Sequence, residues 1–394
     1  MKKQPMPLPA DAEEIIHILA DKGHRADVVG GCVRDFLMGK TPNDYDMATD
    51  ATPEEMKAAL GDRRLIETGL RHGTLTVLLH GTPYEVTTYR VDGGYADHRH
   101  PDAVSFTKDL KEDLARRDFT VNAMAYHPAY GYTDPFGGED DLAAHTIRAV
   151  GDPYRRFDED ALRILRALRF AATLDFETEP VTAAALRAKA PLLSAVSVER
   201  VDTEWQKWMR GKCALRVLRT FSDLLPHFFR EIADSPAVMT LTDDCPPALR
   251  TWALFAPFAD APARYDAAMR RLHADNRRRE SGVAVLTHLH DPLRDDADLL
   301  TLLADIGEEN LSHLLALRTV CGTGEEGESD RLARLLESRA PCRVSDLAIG
   351  GRDLAALGCR GEEIGRILNT LIARVRRGEL KNEKDVLLAA ARLV

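Results

Sequence analysis

No stretch of the 394-residue chain approaches the roughly 20 consecutive apolar residues of a membrane-spanning helix. The opening Met1-Lys2-Lys3-Gln4-Pro5-Met6-Pro7-Leu8-Pro9 lacks the apolar centre of a secretion signal. A cytoplasmic protein with no membrane contact is expected. Cysteine is sparse, and Cys32, Cys213, Cys245, Cys321, Cys342 and Cys359 form no Cys-x-x-Cys pair and have no histidine at zinc spacing. Reduced thiols, without disulfide or zinc, follow from that scatter. Positive charge is also short: the formal net charge of −10 excludes a wholesale basic coat, so any phosphate-tracking surface has to be local. What is present is an ordinary soluble composition, long enough for two to four domains of about 100 to 200 residues each.

The chain is organised around Val28 to Asp46. A short apolar run, Ala26 to Val29, is broken only by Asp27 and ends in Gly30-Gly31; a helix-like segment follows, then an extended one carrying Asp44 and Asp46. On a strand, side chains two apart share a face at roughly 6 to 7 Å, which sets the two acids on one side and Tyr45 on the other. Paired carboxylates suit Mg2+, a hard cation that takes oxygen ligands, keeps water and binds substrate phosphates. Two such ions clamp the attacking and leaving oxygens of a phosphoryl displacement. Gly30 and Gly31 are expected to let backbone N–H groups approach a triphosphate, helped by the start of the next helix.

A Gly-Gly turn or an Asp-x-Asp loop alone is commonplace. Their order here, with Arg34-Asp35 after the glycines, resembles the DNA-polymerase-beta-like nucleotidyltransferase superfamily. The form Gly30-Gly31-Cys32-Val33-Arg34-Asp35 is similar to its class II tRNA nucleotidyltransferase branch, which adds CCA to tRNA.

Around this centre the pattern predicts a helix over Asp11 to Lys22 and another from Thr52-Pro53-Glu54-Glu55 to about Leu60, opened by a capping box. Gly73 to His80 and Tyr84 to Tyr89 read as a hairpin turning at Gly81-Thr82-Pro83. Glu85 reads as a third carboxylate beside Asp44 and Asp46, or equally as a surface cross-strand residue. Arg71-His72-Gly73 resembles the family's turn into this hairpin. The polar segment Arg90 to Phe106 is too long for a plain connection. It resembles the flexible loop that full CCA-adding enzymes retain, which implies a last step of A addition.

Asp113 to Tyr126 contains Arg116-Arg117-Asp118-Phe119-Thr120-Val121-Asn122, matching the family's Arg-Arg-Asp-Phe-Thr-x-Asn motif. Arg116 and Arg117 can meet a triphosphate or a base edge, Asp118 can accept from a ribose hydroxyl, and Asn122 can do either. A surface helix with an internal ion pair would look the same. Asp134 to Gly138 reads as a hinge.

Asp152 to Phe170 reads as one helix, on which Glu159, Asp160 and Arg163 share a face at i, i+3 and i, i+4 spacing, with Arg166 a turn further on. A carboxylate accepting from an exocyclic amino group, beside a guanidinium donating to a ring nitrogen, fits cytosine and adenine alike. Uracil and guanine present the reverse. Ordinary dipole compensation and surface pairing explain the same residues without any ligand. The resemblance decides: Glu159-Asp160-x-x-Arg163 matches the family's nucleotide-selecting motif.

The resemblance implies an α+β chain, with a small mixed-sheet nucleotidyltransferase head (1–142) followed by an elongated all-α part. That part divides into a neck that selects the base (143–212), a body (213–321) and a tail that grips the tRNA elbow (322–394). The span 341–394 holds ten Lys or Arg against seven Asp or Glu. Arg270, Arg271, Arg277, Arg278 and Arg279 read as phosphate contacts or a solvated face, and His288-Leu289-His290-Asp291 as scaffold. Implied partners are the tRNA 3′ end, CTP and ATP with Mg2+, and no protein. The rival functions are A addition alone, poly(A) synthesis, and noncatalytic RNA binding.

Overall fold

The computed structural model describes residues 4–67, 69–70, 73–93 and 104–393, so Arg71, His72 and the centre of the 90–106 loop lie outside the described residues. The chain forms two compact units, Met1–Ala233 and Asp234–Val394.

Nine strands serve the first unit's head: Ala26–Val29 (β1), Met47–Thr49 (β2), Arg64–Ile66 (β3), Thr74–Leu79 (β4), Thr82–Thr88 (β5), Arg90–Asp92 (β6), Val104–Phe106 (β7), Ala125–His127 (β8) and Gly131–Thr133 (β9). Seven of them form a mixed sheet in the order β3-β4-β5-β2-β1-β8-β9, and β6 pairs with β7 in a separate ribbon. Only β2 and β5 run parallel; the other pairs in that sheet are antiparallel.

All four residues of β1 are buried, Asp27 among them. An acid can sit there because it is fully paired: Arg25 donates from Nε at 2.8 Å and Nη2 at 2.6 Å, and Tyr89 Oη donates at 2.6 Å. Strand β4 alternates, turning Leu75, Val77 and Leu79 inward. The β4–β5 turn is two residues, His80 and Gly81, both at positive φ (47° and 88°), the geometry that matches strand twist. Thr82 and Pro83 therefore belong to β5, one step inside the turn expected from sequence.

The head's helices are Ala10–Asp21 (α1), Gly31–Leu37 (α2), Pro53–Leu60 (α3), Leu110–Ala115 (α4) and Gly138–Ala143 (α5). The capping box of α3 is complete: Thr52 Oγ1 accepts from the Glu55 N–H at 3.3 Å, and Glu55 Oε2 accepts from the Thr52 N–H at 2.8 Å. At the expected hinge, Asp134 accepts from the Gly138 and Glu139 N–H groups and starts α5.

Beyond the head come Pro153–Glu159 (α6), Leu162–Leu174 (α7), Pro180–Lys189 (α8) and Val198–Met209 (α9). The single helix expected over Asp152 to Phe170 is two, broken where Asp160 takes φ −141° and ψ 105°. Helix α7 packs Ile164, Leu165 and Leu168 into the same layer as Val201, Trp205 and Trp208 of α9. Trp205 also meets Trp208 and Phe229 edge to face, at centroid separations of 5.6 and 4.7 Å.

The second unit is helical. Its long helix Asp296–Cys321 kinks at Gly307, and Arg318 near its end makes a buried two-bond pair with Glu328 at 3.1 and 2.9 Å. Arg270 and Arg279 both pair with Asp266, and Arg277 pairs with Glu309, so these three cations of the expected phosphate-tracking cluster already have acids. His288 lies between Asp291 and Asp305. The last helices close over Leu354, Ile367, Leu371, Ile372 and Leu387. All six cysteines are free. Among the described residues no helix is long and apolar enough to cross a membrane.

Candidate active site

A cleft of about 500 Å3 opens in the first unit, and twelve of the fourteen site residues expected from sequence line it. Glu85 and Glu159 do not.

Asp44 and Asp46 lie just before β2, not within it; the Asp46 carbonyl accepts from the Val29 N–H at 2.9 Å, which carries the ladder one residue past the strand. The acids thus hang from the end of the sheet. Among the described residues neither has a hydrogen-bonded or ion-paired partner. The Asp46 carboxyl is pushed up to about 6, first by desolvation and then by the charges of Asp44 and Glu85, against the opposing pull of Arg117. Mutually repelling acids with no ion-paired partner are stabilised by a cation between them. Among the described residues no group of three His, Cys, Asp or Glu side chains stands ready to hold a metal. Two carboxylates nonetheless fit Mg2+, whose other ligands are ordinarily water and substrate phosphates. Glu85, exposed on β5 opposite Thr76, reaches Asp46 through its charge.

Gly30 acts differently from expectation. The Gly30 N–H donates to the Met124 carbonyl at 3.0 Å, so it is taken by the fold and does not face a phosphate. Gly30 has φ +78°, and a Cβ there would stand 2.9 Å from Arg117 Nη1; one on Gly31 would stand 3.6 Å from Arg34 Nη2. The pair makes room for two guanidinium groups.

Arg116 to Asn122 occupy the turn between α4 and β8, ending in a short 3-10 segment, rather than a surface helix. Asp113, fully buried, holds Arg116 at 2.8 Å and Arg117 at 3.3 Å. Arg117 Nε is buried without a partner among the described residues. Asp118 accepts from the Phe119 N–H at 2.8 Å, Asn122 Nδ2 at 3.1 Å, and Arg166 Nε and Nη2 at 2.7 and 2.6 Å. Four bonds are about all a carboxylate accepts, so a ribose hydroxyl would have to displace one of them. Asn122 Oδ1 in turn accepts from Arg34 Nη1 at 2.6 Å.

Burial alone would raise Asp118, but Arg166, Asn122 and Arg163 outweigh it and hold the carboxyl down at about 2. A carboxyl depressed on folding stabilises the protein above its unfolded value near 3.8 and loses that contribution as pH falls toward 2. The contribution is about 2 kcal/mol at neutral pH. Asp118→Asn is therefore expected to lower stability by at least that much. The gap should be constant from pH 7 to about 5 and close only below about pH 4, as read by urea unfolding with tryptophan fluorescence.

The break between α6 and α7 rearranges the expected base-reading edge. Glu159 accepts from Arg155 at 3.1 Å, Arg156 at 2.7 Å and Arg163 at 2.8 Å, which makes it the anchor of Arg163 and not a residue of the cleft wall. Arg163 Nη1 also donates to the Arg156 carbonyl, and Nη2 to that of Arg116 at 3.0 Å. Its Nε–H and one Nη2 hydrogen have no protein acceptor among the described residues. Asp160 uses Oδ1 to accept from the Leu162 N–H at 3.0 Å, at the start of α7, and Oδ2 to accept from Arg200 Nη2 at 3.0 Å. Half of its acceptor capacity remains. Asp160 and Arg163 do meet in one cavity, but through a helix break and not through a shared helical face.

The lining includes residues missed from sequence: Asp35, Leu162, Arg169, Phe170 and Arg200. The guanidinium groups of Arg169, Arg34 and Arg166 lie 3.8, 5.3 and 5.5 Å from the Phe170 ring centre. The recurrence of Arg163, Arg166 and Arg169 every three residues was a visible signal. Arg200 falls in Ser197-Val198-Glu199-Arg200-Val201, which resembles the family's last shared motif, a helical segment that reads from sequence mostly as packing and salt bridges. Seven arginines against five aspartates make a cationic pocket in an acidic chain, suited to a polyphosphate.

Known proteins agree with this geometry. Residues 26–148 match the family model described as the poly A polymerase head domain, and residues 248–391 match that of tRNA nucleotidyltransferase domain 2. The CCA-adding enzyme of Limosilactobacillus fermentum is 35% identical over 405 residues, covering 98% of this chain and 97% of its own. That of Enterococcus faecalis is 35% identical over 396 residues, covering 97% and 95%. A crystal structure of the Bacillus stearothermophilus CCA-adding enzyme in complex with CTP superposes with a TM-score of 0.83 at 32% identity, over 98% of both chains. With a mixed-sheet nucleotidyltransferase head, a helical remainder and full-length relatives of this kind, the chain belongs to the family of bacterial-type CCA-adding enzymes.

Proposed function

We propose that this enzyme completes the 3′ end of tRNA by adding C, C and A in turn from CTP and ATP, releasing pyrophosphate, with no nucleic-acid template. One observation supports the reading most directly: the acid pair Asp44 and Asp46 and the pair Asp160 and Arg163 open into the same cavity. A phosphorus atom beside the first pair and a base beside the second are then parts of one bound nucleotide.

Asp44 and Asp46 hold Mg2+ in this reading. The bound metal supplies positive charge to the attacking tRNA 3′-hydroxyl and to the charge developing on the phosphate. Arg34, Arg116 and Arg117 neutralise the triphosphate, in the space that Gly30 and Gly31 leave open. Asp118 and Asn122 hold Arg166 and Arg34 in place and meet the ribose when one of their bonds yields. Glu85 tunes Asp46 through its charge. Asp160 accepts from the amino group of C or A, Arg163 donates to the adjacent ring nitrogen, and Glu159 fixes Arg163.

The head (1–142) carries the chemistry, the neck (143–212) the base selection, the body (213–321) the connection, and the tail (322–394) the grip on the tRNA elbow. The excess of ten Lys or Arg over seven Asp or Glu within 341–394 suits phosphate contacts that weaken as salt rises. Action on tRNA fits a cytoplasmic protein.

Incubating the full chain with labelled CTP and ATP and a tRNA trimmed of its CCA end tests this reading. Ordered gain of two C and one A is expected. An enzyme restricted to A addition would extend only tRNA already ending in CC. A poly(A) polymerase would build a long homopolymer from ATP alone. A noncatalytic RNA-binding protein would incorporate nothing.

A further inference from the structure

Arg200, in the first turn of α9, reaches the cleft from a helix that the base-reading residues do not share. Its Nη2 donates to Asp160 Oδ2 at 3.0 Å, while its Nη1 is buried and has no partner among the described residues. Native proteins pair nearly all buried donors, and one left open beside a ligand cavity calls for an acceptor on the ligand.

The direction of that donor is set by Asp160. Its Oδ1 faces the start of α7, the helix that carries Arg163, and its Oδ2 faces α9 and Arg200. Arg163 and Arg200 thus come to the cavity beside Asp160 from two different helices. A base whose amino group donates to Asp160 meets Arg163 on one flank and Arg200 on the other. Cytosine has an acceptor, N3, on only one side of its amino group; the other side is a C–H. Adenine has acceptors on both, N1 on the pairing edge and N7 on the far edge. Guanine also has N7, but it sets a carbonyl oxygen against Asp160.

We propose that Arg200 is a specificity-determining residue for the A step, donating from Nη1 to N7 of adenine while Arg163 donates to N1. It gives ATP one charge-assisted hydrogen bond that CTP cannot make, inside a site whose pairing-edge contacts are the same for both. The inference rests on the reading of Asp160 and Arg163 as the base-reading pair.

The probe is 7-deaza-ATP, in which N7 is a C–H and the pairing edge is unaltered. With the full-length enzyme and a tRNA ending in CC, kcat/KM for 7-deaza-ATP should lie about tenfold or more below that for ATP, as loss of a hydrogen bond to a charged group implies. Arg200→Met also loosens Asp160, so it should slow both the C and the A steps. In that variant the ratio of ATP to 7-deaza-ATP should fall close to one, because the two changes remove the same bond. A purely structural Arg200 would leave the ratio as it is in the parent enzyme. Equal use of the two nucleotides by the parent enzyme overturns the proposal, as does a ratio that survives Arg200→Met. The parent-enzyme comparison decides even if the variant fails to fold. Failure here leaves exclusion of UTP and GTP by Asp160 and Arg163 untouched, whereas failure of that pair shows up in the exclusion itself.

Discussion

Replacing Asp44 by alanine is expected to cut incorporation of both C and A by on the order of 10^3 or more, while tRNA affinity stays within a few-fold of the parent enzyme. The size follows from what the residue does: with one of the two acids gone, the cation has half its protein ligands and the phosphate's developing charge has little to meet it. The clean separation from binding follows from where it sits. Asp44 is exposed at the end of the sheet with no side-chain partner among the described residues, so its removal opens no cavity and orphans no donor. Single-turnover incorporation and filter binding on the same preparation separate the two effects. Lost binding with retained turnover would contradict the assignment.

The second large effect concerns which nucleotide is used. In the variant Asp160→Ala/Arg163→Ala the pairing edge of C and A loses both of its protein contacts. A bidentate pair is worth about 1 to 3 kcal/mol of discrimination, and buried groups left unpaired against the wrong base add to it. CTP and ATP should therefore fall by two to three orders of magnitude in kcat/KM, on the order expected for loss of both contacts. UTP and GTP, already excluded by the mismatch with that edge, should change little, so the preference nearly vanishes. The helix break strengthens this expectation, since Asp160 and Arg163 are held by separate anchors, Arg200 and Glu159. Loss of the pair does not require loss of α7, which also buries Leu162, Ile164, Leu165, Leu168 and Phe170.

The sequence carried the features whose physics is local. The capping box at Thr52, the β4–β5 hairpin and the Gly-Gly and Asp-x-Asp signals each lie within a few residues and were readable without a fold. The break at Asp160 was not, because no glycine or proline marks it and the apolar spacing continues on both sides through Phe157, Leu162 and Leu165. The glycine turn at Gly30 shows in sequence what backbone can do there, not which carbonyl already accepts its N–H. The pairs Asp118 with Arg166 and Asp160 with Arg200 span 48 and 40 residues, beyond any periodicity. Glu159 neighbours the base-reading residues in sequence, whereas three arginines compete for it in space. Residue types at the site were thus legible, and the hydrogen bonds that assign each one its task were not.

The claim that a protein side-chain pair takes the place of a template is tested most directly by sequencing tRNA 3′ ends. A tRNA trimmed of its CCA end would be offered all four nucleotides at equal concentration, once with the parent enzyme and once with Asp160→Ala/Arg163→Ala. The expected result is CCA alone from the parent and slow, mixed ends containing U and G from the variant. Ends that remain CCA in the variant would show that base selection is made elsewhere in the protein.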